Sequence, residues 1–576
     1  MKKRPLSLVM DTSTRNSMFV LGGLLLLLVF VRLLTFPLLF PLQISPDQSM
    51  FVAIGELLLP GKRLYVDVFD VNPPLAFYVH MIPAMVSRLF AIPAPQAFAF
   101  SIIACWLYSV GFSLWLLWRQ SRHKEAFLFV PLVVSFSCLT LWLSQMDEFG
   151  QREHLFLLLF FPFFIVRWLR WNGNATSPKA AIVAGTFAAV GLFFKQYYLG
   201  AAVILELLWF MEKRRWRNLV APETIACAVL GMLYACCLLA MPQDMKDGYF
   251  SFMVPIFAAG YSEYGTSIMF QFVGWAQMWN DRIYLLIIAC ALGMAMMRYS
   301  TLIMPLLAFS LFGLASYLLQ GQPWLNHALP FVAGSYMLVG VEAAIAFCVL
   351  RQYALSVFRG SGRRFDIVWM VALVIWQGQI AVQAISEQMQ RATEADKLDL
   401  ALVGYKGQAA RADSESLCAV ILRYTKIGDP VLFITRSIAP GYPLLLQTKR
   451  QPASRYLHGM LLPTLLYASD NAGSESAEAA SVRASSVTAN SVEGKSVKAK
   501  PVKAKMDGFR VKVLADYKAD IRRNKPKLIM IQNTRMWEIL EDSRFMQDPI
   551  FEQYQFAGVV DDHRIYIRRD VVTSRN

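Results

Sequence analysis

The chain alternates between long apolar runs and short polar breaks for most of its length. Apolar runs occupy roughly 18–40, 97–118, 126–143, 155–171, 180–194, 198–211, 221–241, 283–298, 301–319, 328–350 and 366–386. A helix that crosses a bilayer needs about 20 such residues, so the pattern predicts eleven spanning helices. The segment 74–91 is apolar too, but Pro73, Pro74, Pro83 and Arg88 bound or interrupt it. It reads as a helix lying along the outer membrane face.

After about residue 387 the pattern turns polar. Ser416 to Thr425 reads as a helix, Pro430 to Thr435 as a buried strand and Tyr517 to Asn524 as a helix. Lys527 to Gln532 reads as a second strand, Met536 to Asp542 as a helix, and Val559 to Arg568 as a hairpin turning at Asp561-Asp562. Residues 471–505 are rich in Ala, Ser, Val and Lys with near-repeats, and read as a disordered insertion. The predicted fold is an α-helical polytopic membrane protein of about 11 transmembrane helices, residues 1–386, with a C-terminal α/β extracytoplasmic domain, residues 387–576.

Composition agrees. Of 576 residues, 56% are hydrophobic and 17% charged, against about 25% charged in soluble domains. The net charge of +16 is spread in short clusters between apolar runs rather than gathered on one surface, which excludes nucleic acid as a partner. With the N-terminus inside, nineteen Lys and Arg fall in inner segments and seven in outer loops before the C-terminal part. That asymmetry sets the topology. The run after Met1-Lys2-Lys3-Arg4 is too long for a secretory signal and reads as a retained first span. Seven of the eight cysteines lie in apolar runs, with no metal or disulfide spacing.

This topology brings the polar outer segments to one membrane face: Asp47, Asp67 and Asp70; Asp147, Glu148, Arg152, Glu153 and His154; Lys195; and Gln322, Trp324 and His327. Asp47 follows Pro46 just outside the first span, where a carboxylate serves either as a helix cap or as a general base. Gln145 to His154 is the densest polar cluster between spans: a solvated loop with internal ion pairs, or the lining of a site. Arg152 offers a planar fork suited to a phosphate. Lys195 either snorkels or meets a phosphate. Trp324 either belongs to an interfacial aromatic belt or stacks on a sugar.

The first outer loop opens with Asp47 and continues with Gly61-Lys62-Arg63-Leu64-Tyr65-Val66-Asp67-Val68-Phe69-Asp70-Val71-Asn72-Pro73-Pro74-Leu75. With the acidic second loop, Gly150 to Leu155, and Trp324 with His327, it resembles the GT-C glycosyltransferases over roughly residues 15–350. More narrowly, it is similar to bacterial relatives of protein O-mannosyltransferases and of the lipid A aminoarabinose transferase. The resemblance implies a polyprenyl-phosphate-sugar-dependent glycosyltransferase, hexosyl or pentosyl, in a bacterial inner membrane with its C-terminal domain in the periplasm. Its acceptor would be a glycan, lipid or protein.

The resemblance also implies catalytic roles for Asp47 and for Asp147 or Glu148, the latter two orienting the sugar or binding a divalent metal. No other cofactor is implied. Asp70, His154, Trp324 and His327 would contact sugar or acceptor. Gln48 stands where many relatives have Glu, and Asn72 where some have a phosphate-binding Lys, so Arg152 or Lys195 would take over the donor phosphate. The main alternative is a transporter or flippase of lipid-linked sugars. No internal repeat supports it, and the polar residues collect at one face rather than midway through the helices.

Overall fold

The computed structural model describes residues 12–39, 44–119, 128–144, 148–174, 176–261, 265–278, 282–357, 382, 386, 416–471 and 490–573. The chain divides into two compact units, each built from separate stretches. Met1–Leu42, Phe98–Leu239 and Gly265–Asp396 form the first; Gln43–Ala97, Ala240–Tyr264 and Lys397–Asn576 form the second.

The helices begin with α1 (Thr12–Leu39), α2 (Pro46–Leu58), α3 (Pro74–Phe90), α4 (Ala94–Arg119) and α5 (Phe129–Leu143). Then come α6 (Arg152–Trp171), α7 (Pro178–Leu192), α8 (Tyr198–Lys213), α9 (Pro222–Leu239) and α10 (Gln243–Lys246). α11 (Val254–Gly260), α12 (Ile268–Met278), α13 (Arg282–Met296), α14 (Ile303–Gln320) and α15 (Leu325–Val357) follow. The C-terminal part adds α16 (Leu417–Tyr424), β1 (Pro430–Ile434), α17 (Gly441–Gln447), β2 (Gln451–Pro452) and α18 (461–471). It ends with α19 (Asn490–Asn524), β3 (Leu528–Gln532), α20 (Arg535–Asp542), β4 (Tyr554–Val560), β5 (His563–Arg568) and α21 (Arg569–Thr573).

Among the described residues, five helices are long and apolar enough to cross a membrane: α4, α6, α9, α14, and α15 as far as Tyr353. Shorter apolar segments lie in α1, α3, α5, α7 and α13. The expected span 366–386 falls outside the described residues except for 382 and 386. Within the first unit α6 is the hub. Leu155 to Val166 is apolar around its whole circumference, which suits a helix with no solvent face. It is buried along nearly all its length and packs against α7 and α15. α9 is the opposite case, with its apolar side chains facing outward from the unit.

The second unit joins the C-terminal part to residues 43–97 and 240–264. Its five-stranded sheet has the order β2-β1-β3-β5-β4, with the first three strands parallel and the last two antiparallel. β1 and β3 are buried almost throughout, as strands covered on both faces must be. Phe69 packs on Phe252 and Tyr456, and its N–H donates to Arg455 O at 2.9 Å. Tyr65 packs on Tyr249 at 4.6 Å. The unit is therefore one core shared by three stretches distant in sequence. α2 and α3 pack so closely that a Cβ on Gly55 would sit 2.5 Å from His80 O. α3 buries Phe77, His80 and Ala84 and leaves Tyr78, Ile82, Met85, Leu89 and Phe90 exposed.

Two expectations change. The segment 471–505 is not disordered throughout: 472–489 lie outside the described residues, and from Asn490 the chain is helical in α19. Ala499, Lys500, Ala504 and Lys505 favour a helix while Gly494 and Pro501 oppose it, so local propensity does not show that the helix expected at Tyr517 begins so far back. The terminal hairpin also begins earlier, at Tyr554, with Asp561 and Asp562 at its turn as expected.

Candidate functional site

In the first unit the chemistry gathers where α6 begins. Glu148, Phe149 and Gly150 make a turn, and Gly150 has a φ of +75°, open to glycine at little cost. A Cβ there would also lie 2.3 Å from the Phe98 ring. The Gly150 N–H donates to His154 Nδ1 at 3.0 Å, which places the ring proton on Nε2. His154 is buried, and Nε2 has no hydrogen-bond partner among the described residues.

Glu153, next along the helix, is fully buried and accepts a bond on Oε1 from Lys195 Nζ. Its Oε2 has no hydrogen-bond partner among the described residues. Lys195 comes from the turn between α7 and α8, its ammonium 5.6 Å from the Tyr197 ring. The bland account of a snorkelling lysine is thereby replaced. Its charge is held inward by a buried carboxylate, whose desolvation only a close cation can offset. His327 enters from the first turn of α15, edge-on to Trp324 at 5.3 Å, and lies within electrostatic reach of Glu153, Lys195 and Arg152. Trp324 is half-exposed and His327 is buried. Arg152 and Lys195 both lie within electrostatic reach of the Glu153 carboxylate.

At a different place in the same unit, Arg167 is fully buried. Its Nε donates to Glu206 Oε1 at 2.5 Å and its Nη1 to Glu223 Oε1 at 2.8 Å. Arg170 bonds both oxygens of Glu223, and Trp171 Nε1 donates to Glu206 Oε2. The network ties α6 to α8 and α9.

In the second unit Asp47 lies in the first turn of α2, partly exposed. The N-cap position belongs to Ser45, with Pro46 following, so Asp47 is not the cap. It stands where the helix dipole favours a negative charge. Asp70 is buried: Oδ1 accepts from Asn72 N at 2.8 Å and Asn72 Nδ2 at 2.7 Å, while Oδ2 lies 3.4 Å from His458 Nε2. Burial raises its carboxyl, but the bonds from His458 and Asn72 outweigh that and hold it below the ordinary carboxylate value. Both oxygens are therefore engaged, Oδ1 in closing the 70–72 turn and Oδ2 in holding it to the C-terminal part. Asp67 accepts from Arg63 N at 2.9 Å, and Arg63 pairs with Asp244 at 2.6 Å.

Of the residues expected to form a site, the first unit brings together Arg152, His154, Lys195, Trp324 and His327, with Glu148 in the turn before them. Asp47 and Asp70 belong to the second unit, 23 residues apart in sequence and on different elements. Asp147 lies outside the described residues. Among the described residues no three His, Cys, Asp or Glu side chains gather as a metal site would need. Sequence reading named Glu153 in the loop but gave it no partner. Its signal was a carboxylate one step inside a continuous apolar helix, which demands a counter-charge.

No protein-family model matches the chain, and a search of curated proteins finds no match. Among solved structures it is similar to the crystal structure of ArnT from Cupriavidus metallidurans bound to undecaprenyl phosphate. The likeness has a TM-score of 0.48 and 10% identity, over 96% of this chain and 98% of that one.

Proposed function

We propose that the protein is an integral-membrane glycosyltransferase that moves a sugar from a polyprenyl-phosphate-linked donor to an acceptor at the periplasmic face of a bacterial inner membrane. The observation that supports this reading is the cluster at the start of α6, where Arg152 and Lys195 lie within reach of the buried Glu153 beside His154, His327 and the half-exposed Trp324. The donor phosphate accepts bonds from the Arg152 fork and draws Lys195 away from Glu153, exchanging one anion for another. Trp324 and His327 contact the sugar.

Asp47 takes the proton of the acceptor hydroxyl or amine. The acceptor heteroatom then bonds to the anomeric carbon with inversion, the bond from that carbon to the phosphate oxygen breaks, and polyprenyl phosphate leaves with the electron pair. Asp147 or Glu148 orients the sugar or holds a divalent metal. The reading includes eleven spans and a periplasmic domain from residue 387. Membranes containing the protein, given radiolabelled sugar on polyprenyl phosphate and an extract of envelope glycans, lipids and proteins, transfer label in this account. Asp47→Asn abolishes transfer at unchanged abundance, and full activity in that variant removes Asp47 from the mechanism.

A further inference from the structure

The second unit contains a cleft of about 730 Å³ that neither α6 nor the residues discussed above form. That volume lies within the about 300–1,000 Å³ usual for small-molecule sites. Its walls are the end of α2 (Glu56, Leu57), the end of α3 (Arg88) and the segment from Tyr442 to Lys449 (Leu445 among them).

Three features make it a built site rather than a surface dent. Tyr442 is fully buried, lines the cleft, and has a hydroxyl with no hydrogen-bond partner among the described residues. A buried donor left in this way is unfavourable unless a ligand meets it. Glu56 lies within electrostatic reach of that phenol, and burial raises its carboxyl even against the opposing pull of Arg88 and Lys449.

Arg88 and the backbone turn that carries Lys449 are also held in place. Arg88 Nη2 donates to Glu56 O at 2.7 Å. Lys449 adopts a φ of +54° in a turn closed by Gly428 N–H to Lys449 O and by Arg450 N–H to Leu445 O, each at 2.9 Å. The Arg450 guanidinium is buried, donating to Thr425 O at 2.7 Å and Thr425 Oγ1 at 2.8 Å. The turn is pinned from within while the Lys449 side chain is exposed.

The geometry points to a binding site for an acidic saccharide, a sugar bearing a carboxylate or phosphate. Its anionic group meets Arg88 and Lys449, its hydroxyls meet Glu56 and Tyr442, and its C–H face meets Leu57 and Leu445. A fatty acid leaves Glu56 and Tyr442 unmatched. A neutral sugar leaves both cations unmatched. As the acceptor station of a transferase the site rests on the reading above; the binding itself does not, and it is measured without transfer.

Calorimetric titration of the full chain in detergent with glucuronic acid, glucose 6-phosphate and glucose tests it. Both acidic sugars are expected to bind about tenfold or more tightly than glucose, since charge-assisted bonds decide the difference. The double variant Arg88→Gln, Lys449→Gln brings them to the level of glucose, and Tyr442→Phe weakens all three, neither variant lowering the thermal midpoint. Tighter binding of dodecyl glucuronide than of glucuronic acid assigns the site to a membrane-borne sugar, and equal binding to a soluble one. Overturning results are no binding of any probe, equal binding of glucose, unchanged affinity in the double variant, or inorganic phosphate competing as well as the acidic sugars.

Discussion

Lys195 donates to a carboxylate, Glu153, that has none of its surface exposed. The two residues are 42 positions apart, one in the turn before α8 and the other in the first turn of α6. A buried pair of this kind contributes less than its Coulomb attraction suggests, because both charges were taken from water. Breaking it is a different matter.

Lys195→Met leaves Glu153 buried without its cation and should lower stability by about 3–5 kcal/mol. Adding Glu153→Gln removes the stranded charge, and the apparent thermal midpoint in detergent should recover most of the loss. Donor affinity should stay low in the double variant, because recovery of the fold does not restore the phosphate contact. Recovery of both would make Lys195 a structural residue only.

Arg167 carries the same logic to the network linking α6, α8 and α9. Arg167→Ala leaves the Glu206 carboxylate without its cation, while Arg170 still answers Glu223, and should cost about 3–5 kcal/mol by the same measurement. Lys213→Ala, which removes an exposed pair with Glu212, should cost less than about 1 kcal/mol.

Much of the architecture was legible because it follows from local rules. Long apolar runs gave α4, α6, α9, α14 and α15, and Pro73 and Pro74 marked the start of α3. The two core strands at 430 and 528 followed from short β-branched runs. Tertiary pairing was not legible. Glu206 and Glu223 sit inside or beside apolar runs, and nothing near them in sequence shows that Arg167 and Arg170 answer both. Asp70 reads as a loop carboxylate facing ligand, yet its partner His458 lies 388 residues away. The second unit hides from sequence for a related reason: its core is assembled from three stretches separated by whole helices, and periodicity reports only which face is buried.

The Asp70 and His458 contact makes a pH prediction. Asp70 is held below the ordinary carboxylate value in the folded state, so its stabilisation is fully present above about pH 4, the unfolded value. It is lost as pH falls through the lower folded value. Intrinsic fluorescence followed from pH 7 to pH 2 should show acid unfolding, and Asp70→Asn should make stability lower at neutral pH and flatter below pH 4. An unchanged acid profile in Asp70→Asn would show that the contact contributes nothing.

Trp324 presents a half-exposed ring beside His327. Trp324→Ala should change stability by no more than about 0.5 kcal/mol, as for other exposed positions. It should raise the donor KM severalfold, with Trp324→Phe in between. A lower midpoint with unchanged KM would make the ring a packing residue.

The central claim is that the polar end of α6 receives the phosphate of a lipid-linked donor. Equilibrium binding of polyprenyl phosphate and of the corresponding polyprenol, to the unaltered protein and to Arg152→Gln, tests it most directly. The account predicts that the phosphate-bearing lipid binds at least about tenfold more tightly than the alcohol, and that Arg152→Gln removes most of the difference. Equal affinity for the two lipids, or a preference for phosphate untouched by Arg152→Gln, would contradict it.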